Sequence, residues 1–261
     1  MLNLPLKTLF IGQSFKLLPQ CQSTNTELLN LVASNPALPE GFTLQAEHQT
    51  QGRGQRGNIW EAAPGQNLTF SVLLKPHFLQ VAQQYWITIS TSLAILDLLT
   101  ELPLTEVKIK WPNDIFVEGN KIGGILIENL IKGNRIEGSV VGIGLNLNQV
   151  DFSVEGAGSI RLFTGQFQQK EEMLSKLLGY IEARYLQLRQ GQQKWMLMKE
   201  TYLAALLYFN SWNSYRAGQE VFQARITDID ALGRLILKDS AGLQRVYAMK
   251  EIQFMHEQSW L

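Results

Sequence analysis

One cysteine, Cys21, stands in a chain of 261 residues, so no intrachain disulfide can form and no Cys-rich zinc pattern exists. Cys21 reads as a small, partly buried apolar residue. The three histidines, His48, His77 and His256, are scattered and show no metal-ligand spacing. No apolar run approaches the ~18 residues that a membrane-spanning helix needs. The N-terminal stretch MLNLPLKTLFIGQSFKLL has no charged region leading into a long apolar one, so it is no secretory signal. These absences predict a cytoplasmic protein with no membrane partner. An excess of one charge is missing too, because Lys+Arg and Asp+Glu both number 23. A duplex-binding protein usually carries a basic excess, so a general nucleic-acid role is disfavoured. Internal repeats and low-complexity segments are absent.

What is present is an ordinary globular composition, 45% hydrophobic and 18% charged. Thr24 to Ala33 has helical spacing; Ser23 and Thr24 offer N-cap hydroxyls, and Glu27 stands three residues after Thr24 as in a capping box. Thr43 to Glu47 and Leu68 to Leu74 read as strands. Ala82 to Leu102, free of Gly and Pro, predicts a long and largely buried helix. Strands then follow at Val107–Lys110, Ile115–Val117, Ile122–Glu128 and Arg135–Leu147. The dipeptides Gly119-Asn120 and Gly133-Asn134 between them suggest hairpins. Lys170 to Phe209 is helical in pattern. Gly218–Ile229, Gly233–Asp239 and Leu243–Met249 are short strands of the kind that build a small β-barrel. The reading is α+β: a mixed sheet backed by helices over residues 1–209, then a small β domain over 210–261.

Four segments carry polar groups in unusual company. Gly52-Arg53-Gly54-Gln55-Arg56-Gly57 matches G-x-G-x-x-G formally. Pro64, Gly65 and a strand follow it, however, and a dinucleotide fold needs a helix there. What remains is a glycine loop with two guanidinium groups, suited to enclosing a phosphate or carboxylate, against the alternative of a solvated turn. Lys110-Trp111-Pro112-Asn113-Asp114 makes a rigid turn with two Asx side chains, and Asp114 could hold a metal ion or an amine. Lys121 precedes Gly123-Gly124 on a strand, where an ammonium could meet charge on a carboxylate and an α-phosphate; the alternative is an exposed hairpin lysine. Ser23-Thr24-Asn25 is a helix start and also a place for a polar ligand head. In Val141 to Asn148 the alternating glycines mark close backbone contact, and Asn146 could contact a nucleotide. No Ser, Cys or His has a credible activating partner, so no covalent enzyme intermediate is expected.

In this order and spacing the segments resemble the biotin protein ligase family. Its pattern is S-T-N at a helix start, Q-x-x-G-R-G-x-x-G and a Trp, K-W-P-N-D, K-x-x-G-I-L-x-E, and G-x-G-x-N. The matches here are Ser23-Thr24-Asn25, Gln49 to Gly57 with Trp60, Lys110 to Asp114, Lys121 to Glu128, and Gly142 to Asn146. The tail Ala217–Phe254 looks like the family's SH3-like C-terminal domain, so the resemblance spans nearly the whole chain. It implies a catalytic domain of the kind shared with class II aminoacyl-tRNA synthetases. The activity implied is a carbon–nitrogen ligase reaction: biotin and ATP, with Mg²⁺, give biotinyl-5′-AMP, and biotin passes to a lysine of the biotin carboxyl carrier protein of acetyl-CoA carboxylase.

Residue by residue, the resemblance implies that Lys121, Arg53 and Asp114 are catalytic. Ser23, Thr24, Asn25, Gln49, Arg53, Gly54, Gln55, Lys121, Gly123 and Gly124 would bind biotin. Arg53, Arg56, Trp60, Asn113, Lys121 and Asn146 would bind ATP or the adenylate. No protein metal ligand is assigned beyond a role for Asp114 beside the Mg²⁺ of ATP. The loop departs from the common G-R-G-R-x-G-R, with Gln55 and Asn58 in place of the second and third arginines. Arg56 or a residue of the C-terminal domain could substitute. Family members that repress transcription carry about 60 or more additional N-terminal residues; the 22 before Ser23 cannot hold a helix-turn-helix, so no DNA partner is expected. The protein would be a monomer or a homodimer. Two rivals remain: a lipoate ligase or octanoyltransferase of the same fold, and a non-enzymatic ligand- or RNA-binding module. Zero net charge and the lack of an aromatic-basic stripe count against the second.

Overall fold

The computed structural model describes residues 6–255, without the side chain of Arg56. Alternation of apolar and polar residues builds its main sheet. The strands are β1 (Phe15–Leu18), β2 (Thr43–Ala46), β3 (Leu68–Leu74), β4 (Val107–Lys110), β5 (Asp114–Val117), β6 (Asn120–Lys132) and β7 (Arg135–Leu145). They lie in the order β1-β2-β3-β7-β6-β5-β4. β1 and β2 are parallel and every other pair is antiparallel. The sheet is therefore mixed, as its sequence suggested.

Each strand divides its side chains between two faces. On one face Phe70, Val72, Val141, Ile143 and Ile125 join the main core with Leu93, Leu98, Leu174 and Leu177. Those leucines come from α2 (Tyr85–Leu99) and α4 (Lys170–Leu188), with the short α3 (Ile160–Thr164) between them in the chain. On the other face Leu73 and Val140 meet Leu28 of α1 (Thr24–Ser34). α1 covers only part of that face, and the uncovered remainder of β6 and β7 is where the cleft forms.

Several boundaries differ from the sequence expectation. α2 starts at Tyr85 after a short 3₁₀ turn at Val81–Gln83. The stretch from Lys170 breaks at Gly191 (φ 90°) into α4 and α5 (Gln192–Ala205). The first hairpin turns at Glu118-Gly119, both at positive φ, as a type I′ turn requires. Asn120 already belongs to β6. The expected capping box at α1 does not form: Ser23 takes the N-cap position, but no side-chain cap bond is made. The Thr24 hydroxyl is engaged instead with Ser71 and Gln49 across the cleft floor.

The last part of the chain forms a second, antiparallel sheet: β8 (Asn213–Ala217), β9 (Glu220–Ile229), β10 (Leu235–Asp239), β11 (Gln244–Tyr247) and β12 (Gln253–Phe254). β8 is absent from the sequence reading. The two sheets share one continuous core, in which Tyr215, Ile226 and Leu237 join the residues of the first. Trp111 Nε1 donates to Gly233 O at 2.9 Å, and the hydroxyls of Tyr85 and Tyr202 both donate to Pro112 O. The Trp-Pro-Asn-Asp turn is thus clamped between the sheets. The α+β architecture stands. No helix among the described residues is long and apolar enough to cross a membrane.

Candidate functional site

The open face of β6 and β7 forms the floor of a cleft of about 900 Å³ counted to its mouth. Period-2 alternation sends Gly124, Leu126 and Glu128 of β6, and Gly142 and Gly144 of β7, to this face. Two of the glycines are required by what lies on them. A Cβ on Gly142 would sit 2.2 Å from Asn25 Oδ1, and one on Gly144 would sit 2.4 Å from the Trp60 ring. The G-x-G spacing lets one asparagine and one indole rest directly on the sheet.

At one end of the cleft the polar side chains Thr24, Asn25, Gln49 and Ser71 are uncharged, bonded to one another and, except for the half-buried Gln49, buried, with the Glu128 carboxylate at their edge. Asn25 Oδ1 accepts from Ser71 Oγ at 2.6 Å, and its Nδ2 donates to Glu128 Oε2 at 2.9 Å and Leu126 O at 3.1 Å. Ser71 lies 2.8 Å from the Thr24 hydroxyl, and the Thr24 N–H donates to Gln49 Oε1 at 2.7 Å. Ser23, Thr24 and Asn25 are all buried. Held from several sides, these groups present fixed donors and acceptors to a neutral polar ligand.

Towards the middle two cations enter, each with a carboxylate partner. Arg53 Nη2 is 2.7 Å from Glu128 Oε2, and Lys121 Nζ is 2.8 Å from Asp114 Oδ1. Lys121 also lies 5.8 Å from the Trp60 ring centroid, within cation–π range. Its backbone pairs with the Gly156–Gly158 segment, donating to Gly156 O and accepting from Gly158 N. Asn113 is buried, and its Nδ2 donates to Ile125 O at 2.7 Å, which fixes Asp114 beside it. Behind them Lys110 lies over the rings of Phe116 and Phe254. Burial lowers its pKa, with Lys121 adding to the effect and Asp114 opposing it.

Ser23, Thr24, Asn25, Gln49, Arg53, Gly54, Gln55, Trp60, Asn113, Asp114, Lys121 and Gly124 all line this one cleft. Two expected residues do not. Gly123 points the other way on β6, where a Cβ would meet Gly144 O and Ile115; strand alternation allows only one of two adjacent glycines to face the cleft. Asn146 lies outside the lining, with its Nδ2 on Gly158 O. Arg56 falls in a 3₁₀ turn, Gln55–Gly57, and its side chain lies outside the described residues. Gln55 Oε1 and Trp60 Nε1 are buried with no hydrogen-bond partner among the described residues.

Sequence reasoning missed Ser71, Glu128, Met249 and Lys250 as site residues. Glu128 was legible as the same-face continuation of Gly124 and Leu126, and Ser71 as a polar break in an apolar strand. Met249 and Lys250 reach the lining from the β11–β12 turn, and no motif announces them. No group of three or more His, Cys, Asp or Glu that could hold a metal ion occurs among the described residues.

The model of the biotin/lipoate A/B protein ligase family matches residues 17–146. The bifunctional ligase/repressor BirA of Bacillus subtilis is 30% identical over 253 residues, covering 93% of this chain and 75% of that protein. The biotin–[acetyl-CoA-carboxylase] ligase of Mycobacterium tuberculosis is 38% identical over 112 residues, which is 42% of each chain. Among solved structures, the biotin protein ligase of Aquifex aeolicus in complex with biotin and ATP superposes with a TM-score of 0.73 at 25% identity, covering 94% of this chain and all of that one.

Proposed function

The chain belongs to the biotin/lipoate A/B protein ligase family, and from that premise we propose that it is an ATP-dependent biotin protein ligase acting on a biotin carboxyl carrier domain. One observation carries the reading: a buried, neutral polar floor at one end of the cleft leads directly to Arg53 and Lys121. Biotin has that polarity, with an uncharged ureido ring at one end and a carboxylate at the other. Ser23, Thr24, Asn25 and Gln49 hold the ring. Gly142 and Gly144 let Asn25 and the Trp60 indole sit down on the sheet, so that both side chains line the ligand's space without filling it.

In the first step a biotin carboxylate oxygen attacks the α-phosphorus of ATP. The bond to the β-phosphate oxygen breaks, and pyrophosphate leaves with that electron pair. Lys121 and Arg53 face the charge that develops on the carboxylate and α-phosphate oxygens. Both must turn from their carboxylate partners to do so. These pairs are partly exposed, where such contacts are worth about 0–1 kcal/mol, so the exchange costs little. In the second step the carrier lysine, as a free amine, attacks the mixed anhydride and AMP departs. Trp60 and the glycine loop shield the anhydride from water between the steps. The cleft fits Mg²⁺ only as an ion arriving with the triphosphate, because Asp114 in its lining and Glu128 beside it are each already paired with a cation. Bound there, the ion would neutralise phosphate charge. The cleft presents no activated nucleophile of its own, so the adenylate stays noncovalent.

Supplying labelled biotin or labelled lipoate with ATP and a carrier domain tests the reading. Biotin-dependent pyrophosphate release and labelled carrier are expected. Turnover with lipoate alone would move the chain to the lipoate branch of the family, and no release with either acid would end the proposal.

A further inference from the structure

We propose that Ser71 is a positioning residue for the biotin ring: its one hydroxyl proton sets Asn25 and Thr24 as acceptors for the ligand, so the neutral end takes a ring that brings N–H donors. The inference rests on the ligase reading and gives a role to a residue that stands outside the cleft's described lining. Ser71 is fully buried on β3. Across the sheet it pairs with Gly142 of β7, and Gly142 pairs with Leu126 of β6. Asn25 lies over that glycine, where a Cβ would come within 2.2 Å of its Oδ1. This side chain of the lining is thus held from both flanks, by Ser71 on one strand and by Leu126 O and Glu128 on another.

The available protons fix the polarity of this network. Asn25 Nδ2 donates to Glu128 Oε2 at 2.9 Å and to Leu126 O at 3.1 Å, and a carboxylate and a carbonyl can only accept. The amide cannot be reversed, because its oxygen would then face both of them. Asn25 Oδ1 therefore faces Ser71 Oγ at 2.6 Å, and the proton in that contact is the single one Ser71 carries. The Thr24 hydroxyl lies 2.8 Å from Ser71 Oγ and 3.1 Å from Gln49 Oε1, so its own proton has a protein acceptor on either side. The Thr24 N–H is engaged with Gln49 Oε1. Thr24 and Asn25 both line the cleft, yet every polar proton of their side chains is committed within the protein. What they keep for a ligand is lone pairs. A cyclic urea supplies N–H groups that such acceptors take, whereas a ring without them sets oxygen against oxygen.

The test uses the full chain, a Ser71→Ala variant and two ligands: biotin and its cyclic carbonate analogue, in which ring oxygens replace both N–H groups. Wild type should bind the analogue at least about tenfold more weakly than biotin, a comparison that does not depend on how the variant folds. Ser71→Ala removes the donor that orients Asn25 Oδ1. It should weaken biotin binding and raise KM for biotin roughly threefold to tenfold, the scale of one net hydrogen bond. Affinity for the analogue and KM for ATP should each stay within about twofold, since neither ligand uses the acceptors that Ser71 orients. An analogue bound by wild type as tightly as biotin would overturn the inference, as would unchanged affinity for biotin in a folded Ser71→Ala. So would an equal loss for both ligands with a raised KM for ATP, which marks a merely structural residue. Biotin-dependent pyrophosphate release from wild type reports on the ligase reading, while binding reports on Ser71, so the two failures are distinguishable.

Discussion

Gly142→Ala should damage the neutral end of the cleft more than any other single-methyl change. The added Cβ would lie 2.2 Å from Asn25 Oδ1 and 2.9 Å from its Cγ. Asn25 cannot yield by a small rotation. Its amide is held by Ser71, Glu128 and Leu126 O at 2.6, 2.9 and 3.1 Å, and the residue is buried. Three net hydrogen bonds at about 1 kcal/mol each, with overpacking of about 1–3 kcal/mol, bracket the loss at roughly 4–6 kcal/mol if nothing relaxes. If Asn25 swings out instead, it enters the space the biotin ring needs, and KM for biotin should rise by at least about tenfold, the equivalent of 1.4 kcal/mol. Denaturant unfolding and KM for biotin are the two readouts. Gly138→Ala on the same strand is the control, since its Cβ would meet the flexible end of Leu130 at 3.3 Å and, at ordinary contact distance, Leu73 at 3.6 Å and Leu74 O at 3.7 Å. A double-mutant cycle isolates the cause: in an Asn25→Ala background the clash partner is gone, and Gly142→Ala should cost at least about 1.5 kcal/mol less. An additive cycle, or a Gly142→Ala protein with wild-type stability and KM for biotin, would refute the close-approach argument.

Three further outcomes are expected. Lys121→Ala should lower the rate of adenylate formation by about 10²–10³ with the fold intact, read as biotin-dependent pyrophosphate release alongside circular dichroism; near-normal turnover would remove Lys121 from the site. Gln55→Arg should slow the loss of preformed biotinyl-5′-AMP in the absence of carrier, because a charge-assisted bond is roughly twice as strong as the neutral one that glutamine offers; equal dissociation rates would show that Gln55 has no part in retention. Cys21, its thiol pushed up to about 11 by burial and secondarily by Glu27, should alkylate at pH 8 about a hundredfold more slowly than an ordinary cysteine, in proportion to its thiolate fraction. A rate matching that of a free thiol would contradict the partial burial of Cys21.

Periodicity and turn chemistry carried most of the fold. Leu68–Leu74 and Val107–Lys110 are strands over the expected residues, because β-branched and apolar runs bounded by turn residues have few alternatives. β8 escaped notice because Asn213–Ala217 is short, polar and held mainly by pairing with β9 and β12. The capping box at Glu27 was a local reading overridden by tertiary contacts: the Thr24 hydroxyl found better partners in Ser71 and Gln49 than in its own helix. In the cleft, residues grouped in short motifs were legible and residues brought from afar were not. Gly123 and Gly124 are equivalent in sequence, and only the pleat of β6 decides that Gly124 faces the cleft. Lys250 lies 129 residues beyond Lys121, and nothing short of the packing of the two sheets would place both on one cleft.

The two ends of that cleft are built on different principles, and the difference follows from the chemistry proposed for each. The neutral end is a buried network in which Asn25, Ser71, Thr24 and Gln49 bond to one another. A ligand that mismatches it leaves desolvated groups unpaired, at about 1–3 kcal/mol apiece. Such a site discriminates strongly and adapts poorly, as recognition of one neutral ring requires. The anionic end holds its cations in partly exposed pairs, Arg53 with Glu128 and Lys121 with Asp114. Their exchange for a ligand anion costs little, so the same two side chains can follow a carboxylate, then a pentavalent phosphorus, then an acyl phosphate as charge moves along the reaction. Glu128 joins the two ends, since the one carboxylate accepts from both Arg53 and Asn25. When Arg53 turns to the ligand, Asn25 keeps that acceptor, so the ring-binding floor stays in register while the charge-binding groups rearrange.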